Sequence, residues 1–297
     1  MKSVCVLLST YNGEKYLGEQ LQSIYAQEDV SIHILARDDG STDATREILN
    51  AYRKKNGHME LIEDCENLGP ALSFMKLLYN SGDDYDYYAF ADQDDIWKER
   101  KLIRAVEMIK DRDTPCLYAS NQILYQDGVE KGLRFETPPK LGIVTALWKN
   151  ELSGCTFVMN KKLRNILVRE DARPSETCLR KRMHDSWVRA VAEVCGEIVY
   201  DHASYIDYRI HANNTVGVKK TSRLYRIRQE MNPETGNWRS ALARELERFE
   251  IEDEQQARAV DAFARIDKAE LLRNSYIRDN YVGKKTTFWL KTLLGWI

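Results

Sequence analysis

Apolar and polar positions along the first hundred residues fall into blocks that switch between strand length and helix length. Val4, Cys5, Val6, Leu7 and Leu8 form an apolar run long enough for one buried strand. After Ser9-Thr10-Tyr11-Asn12-Gly13, the residues Tyr16, Leu17, Leu21, Ile24 and Tyr25 recur near the 3.6-residue period of a helix. Residues 32–36 are a second apolar run ending at Arg37-Asp38-Asp39-Gly40. Ser41, Thr42 and Asp43 then offer capping side chains to a helix that carries Ile48, Leu49 and Tyr52. The same reading predicts a strand at residues 59–62, a helix at 70–79, a strand at 87–91 and a helix at 101–109. Alternation at this pitch implies a mostly parallel sheet sandwiched by helices, an α/β fold, with ligands bound at the carboxyl ends of the strands. The polar clusters Thr10-Tyr11-Asn12, Asp38-Asp39 and Asp92-Gln93-Asp94-Asp95 all fall at such ends.

From about Pro115 the rhythm breaks, which predicts a mixed sheet. Residues 116–125 read as a strand running to an Asp127-Gly128 turn, 154–159 as a strand, 161–168 as a helix and 184–194 as another. Residues 198–200 and 205–208 read as short strands. After His211-Ala212-Asn213-Asn214 the composition shifts, and residues 219–277 are charge-rich with a broken helical stripe of Leu242, Leu246, Phe249, Val260, Phe263 and Leu271. The chain therefore divides into an α/β domain at 1–217 and a helical C-terminal extension at 218–297. In the last segment, Trp289, Leu290, Leu293, Leu294, Trp296 and Ile297 share a helical face opposite Lys291 and Thr292, behind Lys284 and Lys285. Two uses stand open for it: contact with a membrane interface, or docking on the protein's own core or a second subunit.

Composition narrows the function. An apolar fraction of 43% with six Trp and sixteen Tyr supports a sizeable core. A net charge of −2 gives no electrostatic case for a nucleic-acid partner. Cys5, Cys65, Cys116, Cys155, Cys178 and Cys195 show no CxxC and no zinc spacing, so reduced thiols in a cytoplasmic protein are expected. The opening apolar run is too short for a secretory leader, and no segment approaches the ~20 apolar residues that span a bilayer. A cytoplasmic protein, or one peripheral on the cytoplasmic face of the membrane, is expected. Oligomeric state is not legible.

Asp92-Gln93-Asp94-Asp95 is the most informative stretch. Three carboxylates within four residues repel one another, and a divalent cation such as Mg²⁺ or Mn²⁺ held with substrate phosphates would compensate. The competing use is capping of the next helix, which accounts for Asp95 and Asp94 but not for Asp92 at the end of an apolar strand. Asp38-Asp39-Gly40-Ser41 is equally double: a turn and N-cap, or an acceptor for a pyrimidine N3–H or a ribose hydroxyl. Neither GxGxxG nor GxxxxGK[ST] occurs, so the dinucleotide fingerprint and the P-loop do not compete for this sheet.

Ser9-Thr10-Tyr11-Asn12, Arg37-Asp38-Asp39-Gly40-Ser41-Thr42-Asp43, Asn67-Leu68-Gly69 and Ala91-Asp92-Gln93-Asp94-Asp95 together resemble, in order and spacing, the successive motifs of family 2 glycosyltransferases of the GT-A fold. The Thr-Tyr-Asn opening and the Asp-Gln-Asp-Asp-Ile-Trp variant are similar to bacterial rhamnosyltransferase-like members that build surface polysaccharides. The resemblance implies a metal-dependent, inverting transfer of a sugar from a dTDP- or UDP-sugar to a hydroxyl of a saccharide or lipid-linked acceptor. It implies that Thr10, Tyr11 and Asp39 hold the base, with Asn12 and Gly69 also on the donor, that Asp92 holds the ribose, and that Asp94 binds Mn²⁺ or Mg²⁺.

His184-Asp185-Ser186-Trp187 resembles the family's catalytic [E/H]D segment, which makes Asp185 the general base and puts His184 on the acceptor side. From spacing alone, Asp185 is equally an N-cap of the following helix. Some relatives place a metal-binding His about as far beyond the base as His211, against the ordinary use of a lone His as a hydrogen-bonded structural residue. Trp97 and Trp187 offer an apolar face to a sugar or fill the core, and Gly154 admits an acceptor or marks a bulge. Two other functions remain to be weighed. A sugar nucleotidyltransferase would open with a Gly-rich basic phosphate loop, which Thr10-Tyr11-Asn12-Gly13 is not, and a non-catalytic binding module would tolerate loss of Asp185.

Overall fold

The computed structural model describes residues 1–64, 66–211 and 238–296. Cys65, Ile297, the Ala212-Asn213-Asn214 stretch, the 217/218 boundary and the start of the charge-rich extension lie outside the described residues.

Strands β1 (Lys2–Thr10), β2 (Val30–Asp38), β3 (Met59–Ile62) and β4 (Tyr87–Ala91) alternate with helices α1 (Leu17–Tyr25), α2 (Thr45–Lys55) and α3 (Pro70–Tyr79), as the apolar runs predict. A short β5 (Ile96–Trp97) precedes α4 (Lys101–Ile109). Then follow β6 (Cys116–Gln126), β7 (Val129–Leu133), α5 (Ile143–Trp148), β8 (Val158–Asn160), α6 (Lys161–Val168), α7 (Glu176–Cys195) and β9 (Glu197–Arg209). After the gap come α8 (Trp238–Leu246), α9 (Glu254–Arg265), α10 (Lys268–Arg273), α11 (Ser275–Asn280) and α12 (Lys285–Leu294).

The strands form one sheet in the order β3-β2-β1-β4-β8-β6-β9-β5, with β7 on β6. Pairing is parallel from β3 to β4 and between β6 and β9, and antiparallel where β8 joins β4 to β6. Along β1 the side chains alternate between two cores. Val4, Val6 and Leu8 pack with α1, α2 and α4 on one face. Cys5 and Leu7 face the other, which is covered by α3, α5, α6 and α7 and also by Leu242, Leu246, Phe263, Leu271, Ile277 and Phe288 of the C-terminal helices. The extension therefore shares its core with the α/β domain.

Several expectations are corrected. Residues 154–156 form a 3-10 turn, closed by the Phe157 N–H on the Gly154 carbonyl at 2.8 Å, so only residues 158–160 pair as a strand. The two short strands expected near 200 are one strand, β9. Its register on β6 jumps from Asp201 to Ser204, and the two bulged residues interrupt the apolar pattern. Helix α7 starts at Glu176, capped by the Ser175 hydroxyl, and runs through Met183, whose φ of 68° breaks it into two segments. Capping does not explain the acidic stretch, because α4 begins at Lys101, beyond the intervening strand β5.

Candidate active site

Strands β1 and β2 end in register, Thr10 beside Asp38, and Leu8 pairs with Ala91 at the end of β4. The three following loops thus meet at one sheet edge, and side-chain bonds tie them together. The Thr10 hydroxyl donates to Asp38 Oδ1 at 3.2 Å, and Asp38 also accepts from the Ser41 hydroxyl and amide. The Gln93 amide clamps Tyr11, accepting from its N–H at 2.7 Å and donating to its carbonyl at 2.9 Å. Gly13 is needed for that clamp, since a Cβ there would sit 2.2 Å from Gln93 Oε1. Asn12 Oδ1 accepts from the Thr42 N–H. Asp43 accepts from the Glu14 and Thr45 amides and so ties the β1 loop to the start of α2, whose N-cap position is Ala44 without a side-chain cap.

Asp39 is buried and held on three sides. Arg37 Nη1 lies 2.5 Å from Oδ1, and the Leu68 and Gly69 amides each donate at 2.8 Å. Arg37 is itself fully buried and also pairs with Asp64 and Ser73. It was not singled out from the sequence, although a charged residue inside an apolar strand just before two aspartates is a visible signal.

The acidic stretch separates its members. Asp94 faces His211, with Oδ2 and Nε2 2.7 Å apart and both side chains 17% exposed. These donors come from the β4 loop and the residues just past β9, and Arg209 ties the two segments by donating its side chain to the Asp94 carbonyl and its amide to Asp95 Oδ1. Asp95 turns inward beside Cys155, and Asp92, Asp95 and Cys155 bring ligand atoms within 4.8 Å of one another. Burial and the Asp94 and Asp185 charges push Asp92 up to about 7, and burial beside Asp94 raises Asp95 well above the carboxylate range. Lys101 lies beneath, fully buried and lowered by burial to about 8, with its ammonium 3.6 Å from the Trp97 ring centroid.

Two sets of donors could hold a divalent ion. A carboxylate with an imidazole on the cavity surface leaves room for phosphate oxygens and water to complete a Mn²⁺ or Mg²⁺ shell. The Asp92, Asp95 and Cys155 set is half-buried at Asp92, buried at Asp95 and Cys155, and includes a thiol raised by burial, which suits neither ion. Asp94 with His211 is the better fit.

Asp185 lies across the cavity, just past the Met183 break. Its Oδ1 accepts from the Ser186 N–H at 2.6 Å, the Gly154 N–H also points at it, and burial raises its pKa above the carboxylate norm. Gly154 is matched to this corner, since a Cβ would meet His184 Nε2 at 2.6 Å and Asp185 Cβ at 3.3 Å. Its missing side chain makes room for the protein's own residues. His184 stacks on Phe74 at 4.1 Å and edge-on to Phe90, and burial lowers it to about 3. Neither ring nitrogen has a hydrogen-bond partner among the described residues.

A cavity of 1090 Å³ joins all these groups: Thr10, Tyr11, Asn12, Asp39, Gly69, Asp92, Asp94, Gly154, His184, Asp185 and His211 line it. Trp97 does not. It is 3% exposed, under Lys101 in the core, and so cannot face a sugar; Trp187 is likewise core. Further lining residues carry no sequence signal: Arg134 beside Ser153, and the group Trp148, Lys149, Arg182, Trp238, Arg239 and Lys291.

Comparison with known proteins follows this geometry. The family described as glycosyl transferase family 2 matches residues 5–165. The chain is 30% identical over 218 residues to the dTDP-rhamnosyl transferase RfbG of Shigella flexneri, covering 71% of this chain and 73% of that one. Among solved structures it is similar to residues 1–349 of S. aureus TarS in complex with UDP-GlcNAc, at TM-score 0.62 and 18% identity over 100% of this chain and 80% of that one. It is also similar to the mannosyltransferase PcManGT of Pyrobaculum calidifontis in complex with GDP-Man and Mn²⁺, at TM-score 0.55 and 14% identity over 98% and 86% of the two chains. At such identities the structural likeness carries the fold alone.

Proposed function

The chain belongs to glycosyl transferase family 2, with the GT-A fold, and from that premise we propose that it is an inverting, metal-dependent transferase in polysaccharide biosynthesis. It moves a sugar from a dTDP- or UDP-sugar to a hydroxyl of a saccharide or lipid-linked acceptor. Membership of a family that transfers glycosyl groups leaves no specific observation favouring a nucleotidyltransferase or a passive binding module. The observation that carries the reading is a single cavity lined by Asp39, Asp92, Asp94 and Asp185 together.

In this reading the base lies against Thr10, Tyr11 and Asp39, the ribose against Asp92, and Asp94 with His211 holds the ion. Asn12 and Gly69 shape the donor loops through their bonds to Thr42 and Asp39. When bound, Mn²⁺ or Mg²⁺ supplies Lewis-acid stabilisation to the departing nucleoside diphosphate. Asp185 takes the proton from the acceptor hydroxyl as it attacks the anomeric carbon, and a single displacement inverts that carbon. The Ser186 and Gly154 amides orient the Asp185 carboxylate, and neutral His184 walls it from water. RfbG is a dTDP-rhamnosyl transferase and the PcManGT complex contains Mn²⁺, so dTDP-rhamnose with Mn²⁺ is the first combination to try.

The same reading includes peripheral membrane contact. Helix α12 buries Phe288 and Thr292 against the protein but leaves Trp289, Leu290, Leu293 and Leu294 about half exposed, next to Lys284 and Lys285. No described helix is long and apolar enough to cross a membrane. An apolar stripe beside basic residues suits the interface of an anionic bilayer, which would bring the enzyme to a lipid-linked acceptor.

A panel of nucleotide sugars, scored for release of nucleoside diphosphate with and without Mn²⁺, tests the proposal. One or more donors should be hydrolysed only with the metal. No metal-dependent release from any dTDP- or UDP-sugar would count against it.

A further inference from the structure

Met183 has φ 68° and ψ 158° inside α7, two residues before Asp185. That part of backbone space is open essentially to glycine alone. Among the described residues, Asn12, Asp29 and Asp127 also have positive φ, but they are of the short polar types that visit it. Ile266 closes α9 in the left-handed conformation that helix ends use. Met183 differs from all of these: it lies within a helix, and its ψ takes it outside the left-handed well.

Strain of this kind persists only where the surroundings fix the backbone from both sides, and here both sides are anchored. Before the break, Glu245 of α8 accepts from the Ser175 amide at 3.1 Å. Arg180 donates to the Leu68 carbonyl at 3.1 Å and Arg182 to the Ala146 carbonyl at 3.0 Å. After the break, Trp187, Val188, Ala190, Val191 and Ala192 are fully buried, and Arg189 donates to the Thr145 hydroxyl at 2.7 Å. Straightening the helix would undock one of the two segments.

The break changes what the next amides can do. In an unbroken helix the Ser186 N–H is committed to the Arg182 carbonyl, four residues back. Here it donates to Asp185 Oδ1 at 2.6 Å. Asp185 thereby falls in the first turn of a new helical segment, where unpaired amides and the helix dipole favour a carboxylate. From the opposite wall the Gly154 N–H also points at it, and His184 fills the space that a side chain at 154 would need.

Resting on the transferase reading above, we propose that Met183 is a positioning residue for the general base: its glycine-like backbone restarts α7 and aims the Asp185 carboxylate at the acceptor hydroxyl. The Met183 side chain lines the same cavity, so the test has to separate side chain from backbone. Leucine and isoleucine do this. Their volumes match, but isoleucine branches at Cβ and resists positive φ.

Met183→Ile and Met183→Leu are compared with wild type in the full-length chain. Release of nucleoside diphosphate from the donor sugar gives turnover, and calorimetric titration with UDP and dTDP in Mn²⁺ gives nucleotide affinity. Met183→Ile should lower kcat roughly 10²-fold, the scale for a reacting group misplaced by about 1 Å, with nucleotide affinity unchanged. Met183→Leu should keep most of the turnover. Met183→Gly and Met183→Ala then read the backbone by itself: glycine should give the higher Tm, whereas at an ordinary helix position alanine does. Equal turnover in the isoleucine and leucine variants, a loss confined to nucleotide affinity, or a Tm order with alanine above glycine would each overturn the proposal. If Met183→Ile does not fold, the Tm order of the other pair decides. If wild type releases no nucleoside diphosphate from any donor, the transferase reading fails on its own, and the same Tm order still decides whether Met183 holds the break.

Discussion

The two ends of the cavity are built by different means. At the donor end nearly every polar side chain is already bonded to another loop: Asp38 to Thr10 and Ser41, Asp39 to Arg37, Leu68 and Gly69, Gln93 to Tyr11, Asn12 to Thr42. At the acceptor end two side chains, His184 and Arg182, are held by packing and keep polar atoms without partners among the described residues. His184 lies between Phe74 and Phe90 with both ring nitrogens unbonded among the described residues, and Arg182 is stacked on Trp238 with an unused Nε. The first end is rigid before any ligand arrives. The second stores unsatisfied donors, at a cost of about 1–3 kcal/mol per buried group, until an acceptor supplies partners.

The difference makes separable predictions. Asp185→Asn should give the largest effect, lowering kcat by roughly 10²–10⁴ while leaving nucleotide binding at the donor end nearly intact. Because burial raises the Asp185 pKa, the wild-type rate should fall off in acid at a pH above the ordinary carboxylate value of 3.8. Wild-type turnover in Asp185→Asn would break the division of labour between the two ends.

A smaller effect concerns stability. His184 is held neutral, with its pKa lowered from 6.5 to about 3. Between those values the unfolded chain binds a proton that the folded chain refuses, so this residue makes stability fall as pH drops from about 6.5 toward 3. His184→Phe keeps the aromatic stacking and removes both unbonded nitrogens. Urea unfolding at several pH values should show the variant as stable as wild type or more so near pH 7.5, with its advantage growing toward pH 4.5. An unchanged pH dependence would mean that the histidine has partners in solution.

The smallest effect on chemistry belongs to α12. Replacing exposed Leu290 and Leu293 together by Glu should weaken flotation with anionic vesicles and leave donor hydrolysis unchanged. Flotation equal to wild type would remove the membrane from the account and leave α12 as a docking helix alone.

The same contrast decides what could be read in the sequence. The donor end follows strand-helix alternation, so the ends of β1, β2 and β4 and the residues just beyond them were legible. The acceptor end depends on a backbone break at Met183 and on helices that return from beyond residue 238 to cover α5 and α7. Neither leaves a local signature, because Met at a positive φ and Arg over an indole are products of tertiary packing. Trp97 failed for the same reason. An aromatic next to an acidic motif looks available in sequence, yet strand alternation turned it under Lys101. Asp185 and His184 were found by resemblance, while their environment, an imidazole without partners and a glycine that makes room for it, required the folded chain.

The central claim is that Asp94 and His211 together hold a cation against a bound nucleotide. Calorimetric titration of UDP and dTDP, with and without Mn²⁺, into wild type, Asp94→Asn and His211→Ala tests it directly. The account predicts that Mn²⁺ tightens nucleotide binding at least ten-fold in wild type and that each substitution removes most of that gain, with metal-free affinity little changed. Binding that ignores Mn²⁺ in wild type, or a metal effect that survives both substitutions, would contradict it.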